Sequence, residues 1–254
     1  MVSQKFGEIQ GPFIVWLVFT SYFALLNLLR GGSSGGTLPQ DLTLSLVVNL
    51  LIAVARSYGV VLAFLIVFVA FWKKRRSLME VFTSLGLRKT GSARSVFWSF
   101  ALFPLFVLVG LASMSLASSL SSLSAWSFIN EQVPPWYSWY LIFYSFFPVA
   151  VVEEVWARGY MLDRFIPSHP SSIRKALPAI LLSSFLFTLW HLPGYLGAYA
   201  FSIPRTALLL GVNVFPISIV LSAAYVRART RNVIGLILIH FLLDAMPVIL
   251  ALGQ

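Results

Sequence analysis

Long apolar runs alternate along this chain with short stretches rich in basic residues, glycine or proline. A helix needs about 20 apolar residues to span hydrocarbon, so each run predicts a membrane helix. The first extends from about Pro12 to Leu29, with Pro12 at a helix start, where its missing N–H costs nothing. Arg30 and the run GGSSGGTLPQ end it in a loop, since glycine and serine bring no apolar surface to bury. Leu42 to Trp72 is long for one span and contains Arg56. The crossing portion is expected after about Val54, with the earlier part tilted or interfacial and Arg56 snorkelling to the headgroups. A third span is expected over Ser95 to Ala117. It leads into a serine-rich stretch whose Leu116, Leu120 and Leu123 keep helical spacing, as in a short interfacial helix.

Trp136, Tyr137, Trp139 and Tyr140 form an aromatic belt at the head of the fourth span, which carries Glu153 and Glu154 and ends at Arg164. The fifth rises from Leu177 through Phe187 and His191, is loosened by Pro193 and Gly194, and reaches toward Ile203. A sixth covers about Ala207 to Val226, past Asn213 and Pro216. The seventh, Val233 to Leu252, carries His240 and Asp244. The pattern predicts an all-α fold, a polytopic integral membrane helix bundle of about seven transmembrane helices forming one domain over residues 1–254. No internal repeat is visible, which counts against a transporter built from paired repeats.

Composition agrees. The chain is 59% hydrophobic and 10% charged with mean hydropathy +0.87, against roughly 45–50% and 25% in a soluble domain. The net charge of +10 raises nucleic acid as a partner, but the cations sit in clusters beside the apolar runs, the pattern that orients membrane proteins. Lys73, Lys74, Arg75, Arg76, Arg88, Lys89 and Arg94 share one loop with only Glu80 opposing them. Arg164, Arg174 and Lys175 form a second cluster, and Arg227, Arg229 and Arg231 a third. With Lys5, they predict a cytoplasmic N-terminus, an external C-terminus and no nucleic-acid partner. The N-terminal residues lack the pattern of a cleaved signal, so the first apolar run is expected to remain as a helix. Absence of cysteine excludes disulfides, thiolate nucleophiles and cysteine-held metals.

Against this background the segment VVEEVWARGY, Val151 to Tyr160, is unusual. An ionised side chain in hydrocarbon costs roughly 3 kcal/mol or more, so acids kept there call for a function. The deep ionisable residues are Glu153, Glu154, Arg158, His191, His240 and Asp244. At 1.5 Å per residue, Glu153 lies about 16 Å from Arg164 and His240 about 13 Å from Arg231, so the two reach similar depth. His191, about 24 Å from Lys175, joins them if its helix tilts or starts outside the hydrocarbon. Adjacent helical residues diverge by about 100°, so Glu153 and Glu154 are not expected to aim at one point; one is the chemical acid and the other its support. Glu154 and Arg158, at i and i+4, suit an ion pair that leaves Glu153 free. His240 and Asp244 have the same spacing, and a carboxylate there would orient the histidine or share a metal with it. Each pattern alone has a packing explanation. Together, polar groups from separate spans need partners that only the others supply.

Glu153-Glu154-Val-Trp-Ala-Arg158 fits EExxxR, Phe187-Thr-Leu-Trp-His191 fits FxxxH, and His240-Phe-Leu-Leu-Asp244 is similar to HxxxN/D. In that order on separate spans, from about Trp136 onward, they resemble the CPBP (Abi) family of membrane proteins. That family includes the Rce-type CAAX prenyl endopeptidases and proteins tied to bacteriocin processing and immunity. The resemblance implies an intramembrane endopeptidase that needs no cofactor and acts on a membrane-embedded protein or prenylated peptide from a site open to the cytoplasm. It makes Glu153 the base that activates water, has His191 help hold that water, and turns His240 and Asp244 toward the developing oxyanion. Rce-type proteases have Asn where this chain has Asp244. An ionised Asp donates no hydrogen bond, so Asp244 is protonated, orients His240 or binds a metal. Glu153, His191, His240 and Asp244 also make an N/O ligand set suited to zinc, which leaves a metal-dependent version open. A non-catalytic immunity or scaffold protein and a proton-coupled transporter are the competing readings. Oligomeric state is not legible in the sequence.

Overall fold

In hydrocarbon every backbone N–H and C=O must be satisfied within the chain, which leaves helices or closed barrels. The computed structural model describes residues 2–29, 43–72, 74, 77–121, 135–166, 172–198 and 202–252, and these are helices joined by short turns. They are α1 (Val2–Leu29), α2 (Leu44–Trp72), α3 (Leu78–Ser84), α4 (Ser92–Ala101), α5 (Phe103–Ser121), α6 (Trp136–Phe165), α7 (Ile173–Trp190), α8 (Leu192–Ala198), α9 (Thr206–Ala228) and α10 (Ile234–Leu252). Expectations for the Gly/Ser run at 31–40, for residues 122–134, and for Lys73, Arg75 and Arg76 fall outside the described residues.

Among the described residues, four helical stretches are long and apolar enough to cross a membrane: α2, α6, Ile173–Leu196 and α9. The pair α4 and α5 makes a fifth if taken as one bent span, while Gln10–Leu26 and Ile234–Met246 are shorter apolar helices. The all-helical membrane bundle stands; among the described residues, four or five spans and two shorter apolar helices do not confirm the count of seven. Leu17, Val67, Phe71, Leu108 and Trp139 are exposed on the outside, an apolar exterior of the kind lipid covers.

Three boundaries are sharpened by the structure, each for a local reason. First, α2 is one continuous helix from Leu44, so the part before Val54, expected to tilt or lie at the interface, joins the crossing part without a break. A wide π-type turn over Ala55–Gly59 carries the backbone past Arg56, which stays exposed. Tyr22 donates its hydroxyl to the Arg56 carbonyl. Second, the expected third span is two helices bent by 46° at Leu102. Pro104 follows, with no N–H to offer the preceding turn. Third, the fifth span already includes Arg174 and Lys175 in its first turn and breaks at His191. Ile203 opens a helical segment, Ile203–Leu209, that leads into α9. Further π-type segments surround Pro148 (Ser145–Val151) and precede Pro216 (Leu210–Val214), where a missing N–H removes one bond of the regular ladder.

The N-terminal elements interlock with the helices that carry the acids and histidines. Gly159 in α6 lies against the Leu85 carbonyl so tightly that a Cβ there would stand 2.0 Å from the oxygen. A Cβ on Gly235 in α10 would come within 2.4 Å of the Ser95 carbonyl oxygen in α4. Polar bonds fix the same seam. Ser95 Oγ donates to the Asn232 carbonyl at 2.8 Å and accepts from the Gly235 N–H at 3.2 Å. The Gly86 carbonyl accepts from Val233 N–H at 3.0 Å, and Gly86 itself sits at φ 82°, where a side chain would be strained.

Gly159→Ala and Gly235→Ala are expected to destabilise the protein by about 2 kcal/mol or more each, because the new methyl meets backbone rather than a side chain that can turn aside. Gly110, with nothing within 4 Å of its virtual Cβ, serves as the control: Gly110→Ala should leave the melting temperature in detergent unchanged or raised.

Candidate active site

Glu153 and Glu154 occupy a short α-helical step, Val152–Glu154, between two π-type segments of α6, Ser145–Val151 and Val155–Leu162. Wide turns of this kind shift the facing of side chains and recur at functional sites. The Glu153 side chain is 4% exposed, and those of Glu154 and Arg158 are 0%.

Arg158 Nη1 donates to Glu154 Oε1 at 2.8 Å. Its Nη2 donates to Ser218 Oγ at 2.8 Å and to the Ser218 carbonyl at 3.3 Å, reaching α9. The guanidinium carbon also lies 4.5 Å from the centre of the Phe187 ring in α7, a cation–π contact that gives the first residue of FxxxH a physical role. Glu154 Oε1 additionally lies 2.7 Å from His240 Nδ1 in α10. A carboxylate accepts, so Nδ1–H donates and the ring is oriented with Nε2 outward.

That Nε2 lies 3.9 Å from Glu153 Oε2 and 3.5 Å from Asp244 Oδ2. His191 approaches the same Glu153 oxygen from α7, with Nε2 at 3.7 Å. Its Nδ1 is 2.9 Å from the Phe187 carbonyl, which only accepts, so a neutral His191 carries its hydrogen on Nδ1 and turns a lone pair toward Glu153. The other Glu153 oxygen, Oε1, accepts from Tyr58 O–H at 3.3 Å.

All six residues singled out in the sequence therefore gather in one place. Glu153 and Glu154 do not aim at one point: His240 meets Glu154 with Nδ1 at 2.7 Å, and its other nitrogen, Nε2, lies 3.9 Å from Glu153. Asp244 stands on the open side, its side chain 38% exposed. Tyr58 and Ser218 went unseen in the sequence. An aromatic in an apolar span reads as packing, and only the π-type turn Ala55–Gly59 signals that Tyr58 is re-aimed. Among the described residues no group of three His, Cys, Asp or Glu is arranged to hold a metal ion.

Removing one partner of a buried charge pair strands the other. Arg158→Met is expected to cost about 3–5 kcal/mol of stability. Arg158→Lys should recover only part of it, since a single ammonium cannot hold Glu154 and Ser218 together as the planar guanidinium does. Thermal unfolding in detergent, with Ser218→Ala alongside at about 1 kcal/mol, checks both.

The comparisons with known proteins point the same way. Residues 134–246 match the family model of type II CAAX prenyl endopeptidase Rce1-like proteins. No curated protein and no solved structure matches the chain. The matched stretch contains the EExxxR, FxxxH and HxxxD residues and leaves out Tyr58. Residues 134–246, a little under half of the chain, are thus similar to the Rce1-like type II CAAX prenyl endopeptidases, in keeping with the CPBP resemblance of the three motifs.

Proposed function

We propose that the chain is an intramembrane endopeptidase that hydrolyses a peptide bond of a membrane-embedded or prenylated substrate, using water activated by Glu153 and no metal. The observation that carries this is the position of Glu153 Oε2, buried and 3.7 and 3.9 Å from the Nε2 atoms of His191 and His240. Glu153 Oε2 and the His191 lone pair are both acceptors at a spacing too long for a direct bond. One water donating a hydrogen to each satisfies both.

In the reaction, Glu153 takes a proton from this water as the water oxygen bonds to the peptide carbonyl carbon. His240, with Nδ1–H held by Glu154, offers Nε2–H to the oxyanion when the ring is protonated on both nitrogens. Asp244, beside the same nitrogen, keeps that edge of the ring in place. The tetrahedral intermediate collapses by breaking its C–N bond, and Glu153 returns the proton to the departing amine. A carboxylic acid and an amine leave, the acid giving its proton to the amine or to water, and Glu153 is ionised again.

Residues 1–254 act as one domain in this reading, since α2 supplies Tyr58 to the base. The basic clusters support a cytoplasmic N-terminus and a site that opens to the cytoplasm. The family of residues 134–246 supports a CAAX-type prenylated substrate.

A peptidase assay on purified protein with a prenylated peptide tests the reading. Glu153→Gln should lower turnover by about 10²–10⁴-fold without lowering the melting temperature, and a chelator should leave the wild-type rate unchanged. Equal cleavage by Glu153→Gln removes Glu153 from the mechanism, and no cleavage by the wild type leaves a non-catalytic membrane protein. Tyr58→Phe is expected to reduce kcat about tenfold with little change in KM, because the phenol bonds the base rather than the substrate.

A further inference from the structure

At the basic end of the bundle, ten residues along α6 from Glu153 and so about 15 Å from it, lies a second polar site that the chemistry above does not use. It is a cavity of about 320 Å³ whose wall includes Arg88, Arg164, Arg231, Asp163 and Glu80. The arginines come from three places: the turn between α3 and α4, the end of α6, and the loop between α9 and α10.

Each arginine is held rather than free to wander. Arg88 Nε donates to the Thr83 carbonyl at 2.9 Å. The Arg164 guanidinium lies over the Tyr160 ring, 5.4 Å from its centre, and its Nε is buried with no hydrogen-bond partner. Arg231 sits at φ 50° and Arg229, two residues earlier, at φ 55°. That backbone region favours glycine, and non-glycine residues kept there concentrate at functional positions. Of the two acids, Asp163 is occupied within the protein: Oδ1 accepts from Tyr225 O–H at 2.9 Å and lies 3.4 Å from Arg231 Nε. Three guanidinium groups against two carboxylates leave the wall net positive.

We infer that this cavity binds a phosphate group, carried on a lipid headgroup or present as a free anion. Guanidinium forks match the geometry of phosphate oxygens, and several directed at one cavity suit a group with three acceptor oxygens. Basic pockets between membrane helices at the cytoplasmic side take phosphate-bearing headgroups. Arg164, which lines the cavity with its guanidinium stacked over Tyr160, is the central cation such an oxygen would meet. This inference does not depend on the proteolytic reading.

The experiment measures the melting temperature of the full chain in phosphatidylcholine nanodiscs under three conditions. These are the nanodisc alone, with inorganic phosphate added against chloride at equal ionic strength, and with phosphatidic acid included in the bilayer. A bound ligand raises the melting temperature of the wild type. A rise with phosphatidic acid only identifies a headgroup; a rise with inorganic phosphate as well identifies the bare anion. Arg164→Gln should weaken the response at least about tenfold in apparent affinity, as expected for one lost charge-assisted bond. Arg88→Gln and Arg231→Gln give the same reading if that variant does not fold. Arg174→Gln removes an exposed cation outside the cavity and should respond as the wild type does. No rise in either arm, or equal losses in Arg174→Gln and the cavity variants, overturns the site.

Discussion

The arrangement rests on the buried pair of Glu154 and Arg158. Two opposite charges with fully buried side chains are costly in a membrane and need further polar partners beyond each other. Partners for Arg158 Nη2, the guanidinium face and Glu154 Oε1 come from other helices: Ser218 from α9, the Phe187 face from α7 and His240 from α10, while Glu154 Oε2 and Arg158 Nε are buried with no hydrogen-bond partner. One electrostatic requirement therefore sets the rotation and depth of four helices relative to one another. Glu153, next in line on α6, inherits its position from that network.

Irregular helix geometry does the rest of the positioning. Regular α-helices would send Tyr58, Glu153 and Glu154 along fixed angular steps. Here π-type turns occur at Ala55–Gly59 and on both sides of Val152–Glu154, so the phenol and the two carboxylates leave the regular stripe. Close packing holds these wide turns in place, with Gly159 admitting the Leu85 carbonyl directly onto the helix backbone. A bilayer that offers no competing hydrogen bonds makes such departures durable once the protein supplies the partners.

Much of this was legible in the sequence because hydrocarbon is a severe solvent. Apolar runs mark helices, and an acid or imidazole inside one is costly enough to stand out, which is why Glu153, Glu154, Arg158, His191, His240 and Asp244 were identifiable from position and spacing. Tyr58 and Ser218 were not, because neither is expensive to bury and their roles arise from contacts 95 and 60 residues away in the chain. The bend at Leu102 was missed for a related reason. Hydropathy reports how greasy a stretch is and says little about whether its backbone bends or widens on the way through.

Tyr58 has a consequence for where the structural unit around Glu153 is bounded. A fragment limited to residues 134–246 would contain every recognisable motif, yet it would lack the phenol that meets the inner carboxylate. It would also lose the α3–α4 surface against which Gly159 and Gly235 are moulded. The polar cluster is a joint product of the motif-bearing helices and the helices before them, so the motif-bearing part taken alone would hold the acids and histidines without the walls that place them.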